Sequence, residues 1–132
     1  MNTLGRHLLV ELFDCNTDIL NNTERIKDIL TTAATISGAT ILSTTLKKFK
    51  PHGVSGVVVI AESHISIHTW PEYSYAACDI FTCGDKVWPE KGAEYLIKEF
   101  ESKNSSVIEV KRGILNVTNQ NLKYKLQELS VV

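Results

Sequence analysis

The feature that most constrains the fold is a pair of strand-like runs joined by a short polar turn. Residues 57–60 read Val-Val-Val-Ile. In residues 64–70 the odd-numbered positions are Ile, Ile and Thr, and they alternate with His, Ser, His and Trp at the even-numbered positions. Successive side chains of a strand point to opposite faces of a sheet, so this alternation predicts a half-buried strand. With the turn at residues 62–64, the two runs form an antiparallel hairpin. Ser55 and His68 then lie across from each other, and a twist or bulge of the strands would bring them near the serine of the turn.

The remaining periodicity predicts an α+β protein. Further strands are expected over residues 6–13, 40–49, 75–82 and 107–110, and helices over residues 18–37 and from about residue 88. Gly38 is placed to end the first helix in a left-handed cap, and Asp85 to cap the second. We expect a two-layer α/β sandwich, an antiparallel sheet with both helices on one face, in a single domain over residues 1–132. Residues 121–129 are interpreted as helical or frayed.

Composition excludes several classes of protein. The 132 residues carry a net charge of −1, and the densest basic cluster, residues 47–50, is short, so nucleic acid is not expected as a partner. No apolar stretch is long enough to span a bilayer, and the N-terminus does not resemble a signal peptide. The three cysteines are a poor disulfide framework. These features predict a cytoplasmic protein without a membrane partner.

No metal site is expected from the spacing of the candidate ligands. His64 and His68 are four residues apart, which on a strand is about 13 Å, too far for two ligands of one ion. Cys78 and Cys83 lack the spacing of a zinc knuckle, and nothing completes a set of four ligands.

Three residues of this region suit proton transfer or nucleophilic chemistry, and each also has an ordinary interpretation. Ser63 lies in the turn, where a serine is usually only a turn residue, and a strand histidine such as His68 is usually a satisfied polar group. Cys83 precedes a glycine at a strand end, where it is either a small hydrophobic residue or a proton donor. Cys15 and Cys78 are interpreted as core.

Several motifs in combination resemble one family. They are Leu4-Gly5-Arg6-His7-Leu8, Gly38-Ala39-Thr40, Gly53 to Val59, Glu62-Ser63-His64, Ile67 to Tyr73 (IHTWPEY), and Phe81-Thr82-Cys83-Gly84. The chain resembles the short, pyruvoyl-dependent S-adenosylmethionine decarboxylases of bacteria and archaea over roughly residues 3–100. Ser74 and Cys78 depart from the family pattern, in which glycine and an aliphatic residue are expected.

The resemblance implies a cofactor that the chain makes from itself. Decarboxylation of an amino acid leaves electrons on the α-carbon, and no ordinary side chain holds them, so an electron sink is needed. In this family the Ser63 hydroxyl would attack the Glu62 carbonyl. The chain would then separate into a β chain, residues 1–62, and an α chain, residues 63–132, headed by a pyruvoyl group. That group, rather than pyridoxal phosphate, would form the Schiff base with the substrate.

The resemblance also implies roles for other residues. His68 would accept a proton during processing, Ser55 would support the ester step, and Cys83 would return a proton to the α-carbon after carbon dioxide leaves. Glu72 would bind the ribose hydroxyls, Phe49 would stack on adenine, and Trp70 is a weaker candidate of the same kind, for which a structural role competes.

By the same resemblance the protein is a homodimer of processed protomers that supplies the aminopropyl donor for spermidine synthesis. Two alternatives stay open at this point. One is a pyruvoyl enzyme that decarboxylates arginine, and the other is a relative that never cleaves and acts only by binding.

Overall fold

The computed structural model describes residues 2–116. In chain order these form β1 (Asn2–Phe13), α1 (Thr17–Leu20), α2 (Thr23–Ile36), β2 (Thr40–Lys48), β3 (Val54–Ala61), β4 (Ser63–Trp70), a 3-10 turn (Pro71–Tyr73), β5 (Tyr75–Cys83), α3 (Pro89–Glu99) and β6 (Asn104–Leu115). The expected two-layer α+β class is confirmed. The helix considered for residues 121–129 lies outside the described residues.

The strands form one six-stranded sheet in the order β2-β3-β4-β5-β1-β6. Every neighbouring pair is antiparallel, and the predicted hairpin is the β3–β4 pair. The first strand therefore lies between β5 and β6, so residues distant in the chain, such as His7 and Phe81, become cross-strand partners. This arrangement brings β4, β5, β1 and β6 side by side.

The two long helices pack on one face of the sheet. Apolar side chains recur at helical spacing on α2, where Ile26, Ile29 and Leu30 are fully buried, and each such side chain contributes roughly 1.5–3 kcal/mol by leaving water. The helices approach closely at Gly92 of α3, because a Cβ atom there would lie 2.5 Å from the hydroxyl oxygen of Ser37. No helix in residues 2–116 is long and apolar enough to cross a membrane.

Three local predictions about the helices have different outcomes. Gly38 has a φ of +86°, which confirms the left-handed cap. The single helix expected over residues 18–37 is wrong, because Asn22 starts a new helix by accepting the Arg25 N–H at 3.0 Å on its side chain. The cap expected at Asp85 is also wrong, since α3 begins at Pro89, after Trp88, without a side-chain cap.

The other face of the sheet, which we call the open face, is covered by no helix of residues 2–116. Burial alternates residue by residue along β5, with the helix-side residues buried and the others half-buried. The half-buried residues of this face include His7 of β1, His64 of β4, and Asp79 and Cys83 of β5. These four side chains therefore lie at the margin of the core, where a polar group keeps contact with both protein and solvent.

Candidate active site

The Glu62–Ser63 bond lies at the tip of the β3–β4 hairpin. Ile60 and Ser63 are the last paired residues, so Ala61 and Glu62 make the turn. The turn expected over residues 62–64 is therefore wrong, because Ser63 and His64 already belong to β4. On the other side of β4 the register runs through His64 and Phe81, and its continuation by two residues places Cys83 level with Glu62. The strand order thus brings a thiol-bearing residue to the position beside the turn.

Gly5 makes room for the side chains at this tip. It pairs with Cys83 across the β1–β5 ladder, and a Cβ atom on it would lie 2.6 Å from the Phe81 ring and 3.3 Å from the Cys83 sulfur. Any larger residue would displace both side chains. Gly5 was part of the motif noted in the sequence, but its steric role appears only when β1 is placed beside β5.

The opposite end of the hairpin forms a pocket. Ser55 and His68 are cross-strand partners, as the hairpin predicts, and the Ser55 hydroxyl lies 2.8 Å from His68 Nδ1. A cavity of about 200 Å³ opens beside them; it is lined by Phe49, His52, Gly53, Ser55, His68, Thr69, Trp70 and Glu72. Five residues singled out from the sequence therefore surround one cavity.

The side chains of this pocket suit a ligand with both apolar and polar parts. The rings of Phe49 and Trp70 are 47% and 39% exposed, so a flat ligand can reach them. Glu72 places a carboxylate at the same opening, 3.3 Å from His52 Nε2. His52 was not singled out from the sequence, because a histidine in a turn carries no pattern of its own.

The floor of the pocket is fixed by hydrogen bonds to the start of the helical layer. The Thr69 hydroxyl donates to the Leu20 carbonyl at 2.7 Å and accepts the Val54 N–H at 2.8 Å. The Asn21 side chain accepts the Gly53 N–H at 3.0 Å, and Gly53 has a φ of +103°, a conformation that favours glycine. The pocket is therefore built on a rigid support.

The two ends of the hairpin are well separated within one chain. The register between β3 and β4 is regular from Ser55–His68 to Ile60–Ser63, so no bulge shortens the path. Five residues along a strand span about 16 Å. Ser55 and His68 lie together at the pocket end of the hairpin. Ser63 and Cys83 lie at its tip, so the two pairs are at opposite ends.

A third group of polar side chains surrounds Asp79 beside the turn. Asp79 Oδ2 lies 2.6 Å from His7 Nε2 and 2.9 Å from His64 Nε2, and the Ser66 hydroxyl donates to its other oxygen. Burial alone would raise the pKa of the Asp79 carboxyl, but the hydrogen bonds from His64, Ser66 and His7 hold it well below its usual range. Asp79 is therefore a carboxylate at neutral pH.

The same cluster contains a set of possible metal ligands. One ligand atom each of His7, His64 and Asp79 lies within 4.8 Å of the others. Arg112, however, lies with Nη1 3.1 Å from His7 Nδ1. Arginine only donates hydrogen bonds, so Nδ1 accepts and the ring proton is on Nε2, the atom that a metal would need. The arrangement suits a chain of hydrogen bonds better than an ion.

The histidine pair considered from the sequence separates into different groups. The His64 ring contacts Asp79, whereas the His68 ring contacts Ser55. The cluster around Asp79 escaped the sequence analysis because His7 and Asp79 are 72 residues apart.

The three cysteines differ in environment. Cys15 and Cys78 are 7% and 5% exposed, which confirms their place in the core. Burial raises the pKa of the Cys15 thiol to about 11 and that of the Cys78 thiol well above its usual value, so both stay protonated and inert at neutral pH. Cys83 is half-buried at the open face.

Known proteins are similar to this chain over nearly its whole length. The family model for S-adenosylmethionine decarboxylase matches residues 6–113. An S-adenosylmethionine decarboxylase proenzyme from Thermodesulfovibrio yellowstonii is 52% identical over 134 aligned positions, which cover 100% of this chain and 99% of the relative. One from a Thermoanaerobacter species is 53% identical over 86% of this chain and 92% of the relative. The crystal structure of the adenosylmethionine decarboxylase from Aquifex aeolicus superposes with a TM-score of 0.83 at 37% identity, covering 91% of this chain and 100% of that one. The chain belongs to the S-adenosylmethionine decarboxylase family.

Proposed function

We propose that this chain is the proenzyme of a pyruvoyl-dependent S-adenosylmethionine decarboxylase, which supplies the aminopropyl donor for spermidine synthesis. Relatives about half identical to it carry the name of that proenzyme. The observation that carries the proposal is the position of the Glu62–Ser63 bond, which lies at the tip of a hairpin beside the strand end that bears Cys83. The cytoplasmic location expected from the sequence stays a prediction.

The self-cleavage would begin with the hydroxyl of Ser63. Its attack on the Glu62 carbonyl carbon exchanges the peptide bond for an ester. Loss of the Ser63 Cα proton then expels Glu62 as a free carboxylate, which cuts the chain. The dehydroalanine left behind takes up water and releases ammonia to give the pyruvoyl group. His68 is the proposed proton acceptor and Ser55 its hydrogen-bonded support, consistent with their 2.8 Å contact.

The tip of the hairpin is the proposed position of the pyruvoyl group, formed from Ser63. Because Gly5 has no side chain, the Phe81 ring and the Cys83 sulfur pack close to its backbone at this end of the sheet. The pyruvoyl carbonyl would supply the electron sink that decarboxylation requires. Cys83 is proposed to return a proton to the α-carbon of the substrate. A thiol at a half-buried position can be both reached by substrate and shielded from bulk water.

The pocket end suits the nucleoside part of the substrate. Glu72 is proposed to accept hydrogen bonds from the ribose hydroxyls, and Phe49 to stack on adenine, since both line the cavity of about 200 Å³. Trp70 lines the same cavity, but it also stacks on Tyr75 with ring centroids 5.5 Å apart. The faces of these aromatic rings also favour the sulfonium cation.

A homodimer in which each site contains residues of both copies would bring together the two ends of the β3–β4 hairpin, which are far apart within one chain. Ser63 and His68 are about 16 Å apart along β4, whereas direct proton transfer needs hydrogen-bond distance. The open face also exposes apolar side chains, among them Leu9, Val59 and Ile108 at 38–58%. A second copy packed on this face about a two-fold axis would cover these side chains. It would also bring the hairpin tip of one copy over the pocket of the other.

The intact mass of the freshly purified protein under denaturing conditions tests the proposal. We expect two fragments, residues 1–62 and 63–132, the second lighter by one ammonia than a fragment that begins with serine. The Ser63→Ala variant should give a single full-length mass and no carbon dioxide from S-adenosylmethionine. A cleaved Ser63→Ala chain would refute the assigned nucleophile.

A substrate assay of the cleaved protein separates the remaining alternatives. Release of carbon dioxide from arginine, but not from S-adenosylmethionine, would move the assignment to arginine, with Glu72 then facing a guanidinium. A wild-type chain that stays uncleaved and inactive would instead support a relative that acts only by binding.

A further inference from the structure

Four polar or charged side chains form a continuous line across four neighbouring strands of the open face. Arg112 of β6 contacts His7 of β1 at 3.1 Å, and His7 contacts Asp79 of β5 at 2.6 Å. Asp79 in turn contacts His64 of β4 at 2.9 Å. The line ends at the residue that directly follows Ser63.

Hydrogen-bonding capacity fixes where the protons lie along this line. Arg112 only donates, so His7 Nδ1 accepts from it and the single ring proton of His7 is on Nε2, facing Asp79. His7 is neutral in this arrangement. His64 is then the only histidine of the line that can oppose the charge of Asp79 as a cation.

Among the described residues, Asp79 is the one charged side chain that β3 and β5, the strands on either side of β4, contain. Its cross-strand partners are Val59 of β3 and Phe81 of β5. The Phe81 ring lies edge-on to the His64 ring at 5.9 Å, and the His7 ring lies edge-on to it at 6.0 Å. The Arg112 guanidinium lies over the Phe81 ring, 5.3 Å from its centre. Asp79 is thus the charged group that contacts His64.

We infer that Asp79 is a positioning residue that holds His64 as an imidazolium next to Ser63, where its charge favours self-cleavage. This inference rests on the proposed function. The hydrogen bond with Asp79 also raises the pKa of His64 above its usual value, against the opposing effect of burial.

The chemistry of the elimination explains why a cation is useful there. When the Ser63 Cα proton leaves, its electron pair moves toward the Ser63 carbonyl oxygen before the Cβ–Oγ bond breaks and the Glu62 carboxylate departs. That carbonyl belongs to the peptide bond joining Ser63 to His64. A fixed positive charge on the adjoining residue stabilises the negative charge that develops on the oxygen.

The charge of His64 can be measured apart from any cleavage. In the Ser63→Ala protein labelled with 15N-histidine, the imidazole shifts report the protonation of each ring as pH varies. We expect the His64 midpoint to fall by about one pH unit or more when Asp79→Asn is added, because its anionic partner is lost. An unchanged His64 midpoint would overturn the inference.

The rate of self-cleavage tests whether the positive charge of His64 favours the cut. Proenzyme made by cell-free translation is moved into buffers from about pH 5.5 to 8.5, and fragment formation is followed with time. Asp79→Asn should cleave about tenfold more slowly than wild type at the alkaline end, with the ratio approaching one at the acidic end, where His64 is protonated in both proteins. Asp79→Glu should recover part of the rate.

Glu109→Gln is the matched control, because it also turns a carboxylate into an amide. Glu109 pairs with Arg6 and lies opposite Leu8 in the ladder, on the helix side of the sheet. Its cleavage profile should match wild type. A rate ratio for Asp79→Asn that is the same at every pH would show a merely structural role and overturn the inference. If the wild-type chain does not cleave, the proposed function fails and the role in cleavage with it, while the histidine titration still decides the charge.

Discussion

The two ends of the β3–β4 hairpin differ in how their side chains are held. At the tip, Asp79 contacts three neighbours and Gly5 lets the Phe81 ring pack closely, so the groups are half-buried and interlocked. At the pocket end, Phe49 and Trp70 present exposed rings beside Glu72, on a support fixed by Thr69. The difference suggests a division of labour, in which the tip carries the bond that is cut and the Cys83 thiol, while the pocket end recognises the substrate and also holds the Ser55–His68 pair. Substitutions at the two ends should therefore have separable effects.

Loss of the thiol at the tip should have the largest effect on turnover. Cys83→Ala should lower kcat about 100-fold or more, because it removes the proposed proton donor, while self-cleavage proceeds at least in part. Intact mass and carbon dioxide release measure the two properties separately. Cys15→Ala, which removes a buried thiol from the core, should leave kcat near the wild-type value. Full activity without Cys83 would remove it from the mechanism.

A change at the pocket should alter substrate use without altering cleavage. Glu72→Gln should lower kcat/KM for S-adenosylmethionine about 10- to 100-fold, since it replaces charge-assisted hydrogen bonds by weaker ones. The fragments should form as in wild type. Glu94→Gln, on the exposed side of α3, is the control. Slower cleavage in Glu72→Gln would contradict the division between the two ends.

The hydrogen bonds at the tip should also be visible as a pH-dependent stability. In the Ser63→Ala background, Asp79→Asn should lower the free energy of unfolding by about 2 kcal/mol near pH 6. The pKa of Asp79 is lowered by folding, so its contribution is present above about pH 4 and declines as pH falls. The pKa of His64 is raised, so its contribution is full below about pH 6.5 and declines as pH rises.

Denaturant unfolding at one protein concentration across this pH range measures the difference between the two proteins. The difference in the free energy of unfolding should be greatest between about pH 4 and about pH 6.5. Glu109→Gln, whose carboxylate is in an exposed pair with Arg6, should cost less than about 1 kcal/mol. A difference that does not vary with pH would mean that the charge of Asp79 contributes nothing to stability.

The smallest expected effect concerns the turn between the pocket and β5. Ser74 has a φ of +53°, in the left-handed region. Ser74→Gly should raise the free energy of unfolding by roughly 0.5 kcal/mol, because relief of strain exceeds the extra chain entropy of glycine. Thermal unfolding of the two proteins checks this, and cleavage should not change. A less stable Ser74→Gly protein would show that the serine side chain stabilises the turn.

The sequence predicted those features that depend on local periodicity. The alternation in residues 64–70 was enough to predict the hairpin and the partnership of Ser55 with His68, and Gly38 was enough to end a helix. The break at Asn22 was missed, because one capping side chain outweighed an apolar periodicity that continued on both sides of it. Ser74, noted as a departure from the family pattern, occupies a conformation that favours glycine.

Features that depend on strand order could not be predicted in this way. Asp79 lies in an ordinary strand, and its partners His7 and His64 are 72 and 15 residues away. Only the placement of β1 between β5 and β6 brings Arg112 and His7 to it. The distance between Ser63 and the Ser55–His68 pair likewise follows from a register that the sequence left open to a twist or bulge.

Co-expression of two inactive variants tests most directly the claim that each site is assembled from two copies. Ser63→Ala and His68→Ala chains, carrying different tags and each uncleaved alone, are produced together and purified through both tags. If the sites are shared, a mixed dimer contains one site with an intact Ser63 and an intact His68. We predict that the His68→Ala chain is then cut after Glu62 and that decarboxylation appears. Mixed dimers in which neither chain is cut would show that Ser63 and His68 do not act across the two copies.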